Sequence, residues 1–336
     1  MLTLAGSRPV PDDLLARWDV PIPRYTSYPA VPDWTGGVTT ATWLAHLGDV
    51  AGQGGPLALY VHLPFCAERC LYCGCNATVT NRRDVVERYL DRLEAEIDLI
   101  SGALGRGPTV EEIHWGGGTP NLLDDSQLAR LVGLLRRRFA VAPGAEWSIE
   151  ADPRLVHPRQ LDHLRSLGFS RVSFGIQDLD PPVQEAIGRI QPAALVRQVV
   201  AAARLAGFEG INFDLIYGLP RQTAGGFDET LAKVVALAPD RIACFGYAHV
   251  PWIRAHQKRI DESTLPAGPA RFALFQRAVD TLSAAGYQWI GLDHFARPDD
   301  PLARAAAAGT LHRNFMGYTT RQGEHLIGLG TSAISD

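Results

Sequence analysis

Long apolar runs are missing from this chain. Those present, such as residues 199–203, are far too short to span a bilayer, so no membrane segment is expected. A basic stripe with interleaved aromatics is missing too, and the net charge is −4 over 336 residues. Both argue against nucleic acid as a partner. The opening MLTLAGSRPVPDD has neither the charged start nor the apolar core of a secretory signal. Cysteine is scarce: five residues, an odd number and mostly clustered, do not make a disulfide framework. A reduced, cytoplasmic setting is therefore expected. Neither an internal repeat nor a low-complexity segment stands out.

What the chain has is rhythm. Residues 1–55 are rich in Pro, Gly and polar side chains, and they read as an irregular arm with one short helix near 42–47. From 56 to 286 apolar strands alternate with amphipathic helices. LALYVH (57–62) is a strand; VVERYLDRLEAEIDLI (85–100) places Val86, Leu90, Leu93, Ile97 and Ile100 at helical spacing. Further strands are EIHWGGGTP (112–120), WSIEADP (147–153), RVSFGIQD (171–178), INFDLIYGLP (211–220) and RIACFGYAHVP (241–251). The helices between and after them fall at 125–139, 161–168, 195–207, 227–239 and 270–286. Near-continuous apolar strands suit a parallel sheet covered by helices, and right-handed βα units curl such a sheet into a barrel or a doubly wound sheet. With 46% hydrophobic residues the chain can bury a large core. Polar residues gather at the C-terminal ends of the strands: His62 and Cys66, Gly116 to Thr119, Glu150 and Asp152, Gln177, Asp214 and Tyr217, Tyr247 and His249. In a barrel enzyme that rim carries the chemistry.

Four of the five cysteines sit in the loop after the first strand, within YVHLPFCAERCLYCGC (60–75). Cys66, Cys70 and Cys73 form C-x3-C-x2-C, and Cys75 follows two residues later. Thiolates are soft ligands for iron–sulfur clusters or zinc. No second pair of ligands follows nearby, although His62 offers a fourth donor for a Cys3His zinc site, so both metals stay open on spacing alone. Three thiolates on a cubane cluster leave one iron open for chemistry. Cys244 lies in an apolar strand and reads as a core thiol.

C-x3-C-x2-C after a first strand, with GGGTP after the second, resembles the radical S-adenosylmethionine (SAM) superfamily; Tyr72, the aromatic before the third cysteine, fits that loop as well. The fold this implies is an α/β partial (β/α)6 TIM-like barrel over 56–286. The N-terminal arm precedes it and a truncated C-terminal region, 287–336, follows. Several further segments narrow the resemblance: PRYTSYP (23–29), CGCN (73–76), IHWGGGTPNLL (113–123), SIEADPR (148–154), FGIQD (174–178), DLIYGLPRQT (214–223), DHFARPDD (293–300) and LHRNFMGYTT (311–320). Together, from about residue 20 to the end, they resemble the oxygen-independent coproporphyrinogen III oxidases. The radical SAM heme chaperones share the cysteine and GGGTP motifs but usually lack RYTSYP, HFARPDD and the C-x-C thiol. A heme-binding chaperone and an inactive truncated barrel are the alternatives.

The resemblance implies a [4Fe–4S] cluster on Cys66, Cys70 and Cys73, and two SAM molecules. Tyr60, Gly117, Glu150 and Ile334 match contacts to the SAM on the cluster. Tyr72, Gly118, Thr119, Gln177, Arg189, Asp214 and Ala248 match contacts to the second. Glycine lets backbone approach a methionine group, strand-end carboxylates suit ribose and ammonium, and an arginine suits a carboxylate. On position alone Glu150 and Asp214 read equally as capping or ion-pairing carboxylates, and Arg189 as a solvated charge. Cys75 matches a family cysteine that is not a cluster ligand, or simply fills the loop. The implied reaction is oxidative decarboxylation of two propionates of coproporphyrinogen III to vinyls, giving protoporphyrinogen IX for heme. An adenosyl radical removes hydrogen from the β-carbon, and CO2 and one electron leave. The implied donor is a protein such as flavodoxin or ferredoxin, and the implied state a monomer. Arg24, Arg297 and Arg313 read either as partners for the substrate's carboxylates or as surface charges. Two departures stand out. Met316 replaces a family Gln in HRNFQGYTT, and the chain stops at GTSAISD, where family members continue into a mostly helical domain over the substrate.

Overall fold

The computed structural model describes residues 2–3, 9–18, 20, 33–105, 107–321 and 325–336. Six parallel strands follow one another in space as they do in sequence: β1 (Pro56–Leu63), β2 (Thr109–Gly117), β3 (Ala140–Ala151), β4 (Arg171–Gln177), β5 (Gly210–Tyr217) and β6 (Arg241–Gly246). Three more strands extend this sheet: the antiparallel pair β7 (Gln288–Gly291) and β8 (His294–Ala296), and β9 (His325–Leu329). The order is β7-β8-β6-β5-β4-β3-β2-β1-β9, an open, curled nine-stranded sheet. β9 runs parallel to β1, with His325 opposite Leu57. This is the (β/α)6 partial barrel that the family resemblance implied; the alternation alone left a doubly wound sheet open. Strands from residues after 286 add to both of its edges.

The helices form where the apolar spacing placed them. α1 (Thr40–Gln53) is longer than the expected 42–47; the Thr39 hydroxyl accepts from the Thr42 amide and starts it early. α2 (Arg83–Leu104) buries Val86, Leu90, Leu93, Ile97 and Ile100 on one face. α3 (Asp125–Arg138) opens with a capping box between Asp124 and Gln127. α4 (Pro158–Ser166), α6 (Ala193–Leu205), α7 (Ala224–Leu237) and α8 (Gly268–Ala284) complete the outer layer. Three helices among the described residues were not legible from spacing: Asp12–Trp18, which adds a second helix to the arm read as having one, α5 (Pro181–Ile187) and α9 (Pro301–Ala308); all are short, with too few turns to show a period.

Strand side chains facing the helices fill the main core. Trp115 and Phe169 meet edge-on at 5.0 Å, and Phe174, Phe213, Phe227 and Phe295 are fully buried around them. Cys244 is buried in β6, a core thiol as read from its strand. No helix among the described residues is long and apolar enough to cross a membrane.

Candidate active site

The loop after β1 is fixed from several sides. Phe65–Cys66 pairs in parallel with Thr78–Val79, and the Thr80 amide donates to Cys66 O at 3.0 Å. The Gly118 and Thr119 amides donate to Leu63 O and Phe65 O at 2.9 and 2.7 Å. Arg69 ties back to Ala77 O. From the far side of the barrel, His256 Nε2 lies 2.8 Å from Cys73 O, and buried Gln257 donates to Tyr72 O at 2.8 Å. His256 and Gln257 were missed in the sequence, because a short turn 183 residues away from Cys73 carries no local signal.

A cavity of about 770 Å³ opens at the C-terminal rim of the sheet. Of the residues matched to cofactor contacts, Tyr72, Gly117, Gly118, Thr119, Glu150, Gln177, Arg189, Asp214 and Ala248 line it. Cys66, Cys70 and Cys73 line it with them, as does Cys75. Tyr60 and Ile334 are not in its wall. Tyr60 lies just behind, its hydroxyl 3.1 Å from His62 Nδ1 and its ring stacked on His114. Ile334 packs its backbone on β9, where a Cβ at Gly328 would lie 2.6 Å from Ile334 O.

Each of the three motif sulfurs has a donor beside it. The Thr119 hydroxyl donates to Cys66 Sγ at 3.4 Å, the Arg189 guanidinium to Cys70 Sγ at 3.5 Å, and the Cys75 amide to Cys73 Sγ at 3.4 Å. Hydrogen bonding from Cys75 draws the Cys73 thiol down to about 6, while Cys73 and burial push the Cys75 thiol up. Within the C-x-C pair the hydrogen bond thus favours the charge on Cys73 over Cys75. Among the described residues no three His, Cys, Asp or Glu side chains converge on a point, as a single zinc ion requires. Both ring nitrogens of His62 are engaged, by Tyr60 and by Asn76 O at 3.0 Å, which removes it from a Cys3His set. Three thiols of one loop, each with a donor beside its sulfur, fit an iron–sulfur cluster.

The GGG run is tight for a reason internal to the chain. A Cβ on Gly118 would lie 2.7 Å from Phe65 O, and one on Gly117 2.7 Å from the His62 ring, at a φ of 117° that favours glycine. Glu150 accepts the Gly117 amide at 3.1 Å and lies 3.4 Å from His114 Nε2. Burial raises its carboxyl, but His114, the Gly117 amide and His62 outweigh this and hold it below the ordinary range. Asp152 is buried and receives Arg189 and Arg154 at 3.0 and 2.7 Å. Arg189 is not a solvated charge: it is 6% exposed, donates to Gly175 O, and keeps its Nε without a partner. An unpartnered donor on a cavity-lining guanidinium fits an anionic group such as the SAM carboxylate.

On the far wall Asp214 accepts from Ser173 and Asn212 at 2.9 and 2.8 Å. Burial and the nearby Glu150 charge push it up to about 6. Gln177 is held at φ 63°, at the irregular end of β4. Asp178 behind it is fully buried and takes Thr230 and Gln222 donors, both at 2.6 Å, which locks that conformation.

Of the expected substrate arginines, neither Arg297 nor Arg313 lines this cavity. Arg24 lies outside the described residues. Arg297 is exposed beside Asp299, and Arg313 stands exposed on the hairpin His312–Asn314/Gly317–Thr319. The arginines that line the cavity are Arg69, Arg154 and Arg189. Met316 sits in the turn of that same hairpin, its amide donating to Asn314 Oδ1, and it does not line the cavity.

A sequence model of the radical SAM superfamily matches residues 60–234. The chain is 46% identical over 325 residues to the oxygen-independent coproporphyrinogen III oxidase of Pseudomonas aeruginosa, covering 96% of this chain and 71% of that one. It is 44% identical to the enzyme of that name from Escherichia coli K12, covering 96% and 70%. The solved structure of the Escherichia coli coproporphyrinogen III oxidase, described as a radical SAM enzyme, superposes with a TM-score of 0.89, covering 93% of this chain and 71% of that one.

The chain belongs to the oxygen-independent coproporphyrinogen III oxidases.

Radical SAM membership implies a [4Fe–4S] cluster and SAM, and the thiol loop and the orphaned guanidinium donor suit both groups. The oxidases matched here extend beyond this chain, which spans about seventy per cent of their length.

Proposed function

We propose that this chain carries out the oxygen-independent oxidation of coproporphyrinogen III in heme biosynthesis. The observation that carries the reading is the single rim cavity uniting the C-x3-C-x2-C thiols, Glu150, Arg189 and Asp214 in a chain so similar to named oxidases. Cys66, Cys70 and Cys73 would hold the cluster. Glu150 and Gly117, with Tyr60 and Ile334 supporting from behind, would orient a SAM beside it. Tyr72, Gly118, Thr119, Gln177, Arg189, Asp214 and Ala248 would hold a second SAM across the cavity. When bound, these groups supply one low-potential electron and a hydrogen-abstracting adenosyl group.

The protein's part is orientation and charge. Arg189 lines the cavity with a guanidinium suited to a carboxylate. Asp214 offers oxygens on the far wall, and Glu150 stays ionised, so its oxygens accept rather than donate. The gripped thiol loop and the locked Gln177 backbone fix the main chain of both walls, and a 1 Å misplacement can cost about a hundredfold in rate. The electron donor is a one-electron carrier of the flavodoxin or ferredoxin class, and the working state a monomer.

The test is anaerobic incubation with SAM, a reductant and coproporphyrinogen III. Protoporphyrinogen and 5′-deoxyadenosine are expected together. Tight heme binding with no vinyl product would instead point to a chaperone. Equilibrium dialysis of SAM into the reconstituted protein should give two per chain, and Arg189→Ala should lose one.

A further inference from the structure

Arg154 belongs to no cysteine or glycine motif, and nothing above assigns it a role. It follows Asp152 and Pro153 at the end of β3, in the turn Pro153–Leu155. Asp152 Oδ1 accepts both its amide and its Nε, at 3.0 and 3.1 Å, and this aims the guanidinium back over the rim. Its Nη2 then reaches two acceptors: Asp152 Oδ2 at 2.7 Å and Cys70 Sγ at 3.8 Å. Arg189 Nη1 does the same from the other side, at 3.0 Å to Asp152 Oδ2 and 3.5 Å to Cys70 Sγ. One buried carboxylate thus holds two guanidinium groups against one sulfur. The side chains of Asp152, Arg189 and Arg154 are 6%, 7% and 19% exposed, so water screens little of this charge. The other acid near Arg154, Glu68 at 3.6 Å, is 75% exposed and is screened. The triad carries two positive charges and one negative, a net charge of +1 beside Cys70.

The geometry points to Arg154, oriented by Asp152, as a positioning residue that sets the reduction potential of the cluster through Cys70. This rests on the reading that Cys70 is a cluster ligand. Reduction adds one electron, drawn from an external one-electron carrier, and the added negative charge spreads onto the sulfurs. Cationic donors on a ligand sulfur stabilise the reduced form more than the oxidised one, and so raise the potential. Arg189 faces the cavity and is already committed there. Arg154 also lines the cavity, but it matches no SAM contact, and its guanidinium is bound to Asp152 and Cys70.

Potentiometric titration of the reconstituted protein without SAM, followed by electron paramagnetic resonance of the reduced cluster, tests this. Arg154→Gln should lower the midpoint by the equivalent of about a tenfold loss in the reduction equilibrium, about 59 mV for one electron. Arg154→Lys keeps the charge without the fork, so it should fall between. A purely structural role predicts no graded order. If Arg154→Gln does not load iron, Arg154→Lys carries the test: a lowered midpoint supports the assignment and an unchanged one overturns it. Unchanged midpoints in both variants at full iron content also overturn it. Failure of the unaltered protein to bind iron at all would sink the parent reading, a result seen in iron content rather than in potential.

Discussion

The two halves of the rim are built from the same strand ends yet differ in charge. On the near half, β1 to β3, each carboxylate has a cationic or imidazole partner: Glu150 lies against His114, and Asp152 holds Arg154 and Arg189. Both acids are held below the ordinary range. On the far half, β4 to β6, Asp214 takes its hydrogen bonds from the neutral Ser173 and Asn212, and burial and the Glu150 charge push it up to about 6. The backbone differs in the same way. Gly118 is closed in by main-chain atoms of Phe65 and Pro64, whereas a Cβ on Gly175 meets only the side-chain ends of Gln177 and Arg189. The near half is a fixed, ionised platform. The far half can change protonation and side-chain position around a ligand.

The largest effect should come from breaking the near half at its thiols. Cys66→Ala, Cys70→Ala or Cys73→Ala should each lose most of the roughly four iron that anaerobic reconstitution gives the unaltered chain. Cys75→Ala should keep them, since hydrogen bonding favours Cys73 as the thiolate of that pair. Iron analysis and the visible iron–sulfur absorption decide it. One zinc per chain without that absorption would show that the loop is a zinc site.

The glycines sharpen the contrast. Gly118→Ala drives a methyl to 2.7 Å from a carbonyl oxygen that cannot move aside, and should destabilise the fold by about 1–3 kcal/mol. Gly175→Ala meets Gln177 Nε2 at 2.7 Å, a side-chain end that can swing, and Arg189 Nη2 at 3.2 Å, a contact relieved by a shift of a few tenths of an ångström. It should cost less than about 1 kcal/mol in stability yet weaken SAM binding, because Gln177 turns from the cavity. Urea midpoints at constant m, with SAM titrations alongside, separate the two. Equal losses of stability would mean that the far wall is as rigid as the near one.

Asp214 supplies the pH-dependent test. Its folded pKa of about 6 exceeds the unfolded value of about 3.9, so the folded state holds the proton more tightly. Stability from this group is present below about pH 4 and declines as pH rises through 6. Asp214→Asn removes that decline. Relative to the unaltered protein it should gain about 1–2 kcal/mol at pH 7, after allowing for water in the cavity, and nothing near pH 4. A stability difference that does not change with pH would place the Asp214 pKa near its ordinary value.

The same contrast marks what the sequence could and could not convey. β1 to β6 and their helices were legible because buried parallel strands are continuous apolar runs and the helices keep a 3.6-residue period, as in α2. The near half was legible as well, since its parts lie in short contiguous motifs: the thiol loop, GGG, and Glu150 with Asp152. The grip on that loop by His256 and Gln257, and the reach of Arg154 to Cys70, are tertiary contacts, and local sequence does not encode them. The rise of Asp214 depends on burial and on Glu150 across the barrel, which no strand-end position conveys. The substrate arginines were drawn from matched segments, and of those in view neither Arg297 nor Arg313 lines the cavity.

Met316 should give the smallest effect, although its sequence position suggested otherwise. A Gln in the family pattern reads as a lost ligand hydrogen bond, worth roughly 1 kcal/mol. The structure puts Met316 in a hairpin turn away from the cavity wall, where Asn314 Oδ1 takes the amides of Met316 and Gly317 at 2.9 and 3.2 Å. That bond uses backbone and tolerates either side chain. Met316→Gln should therefore leave SAM affinity and cluster loading unchanged and move stability by no more than about 0.5 kcal/mol. A more than twofold gain in SAM affinity would show that the hairpin closes over the cavity when SAM binds, and would add a third, movable wall to the two compared here.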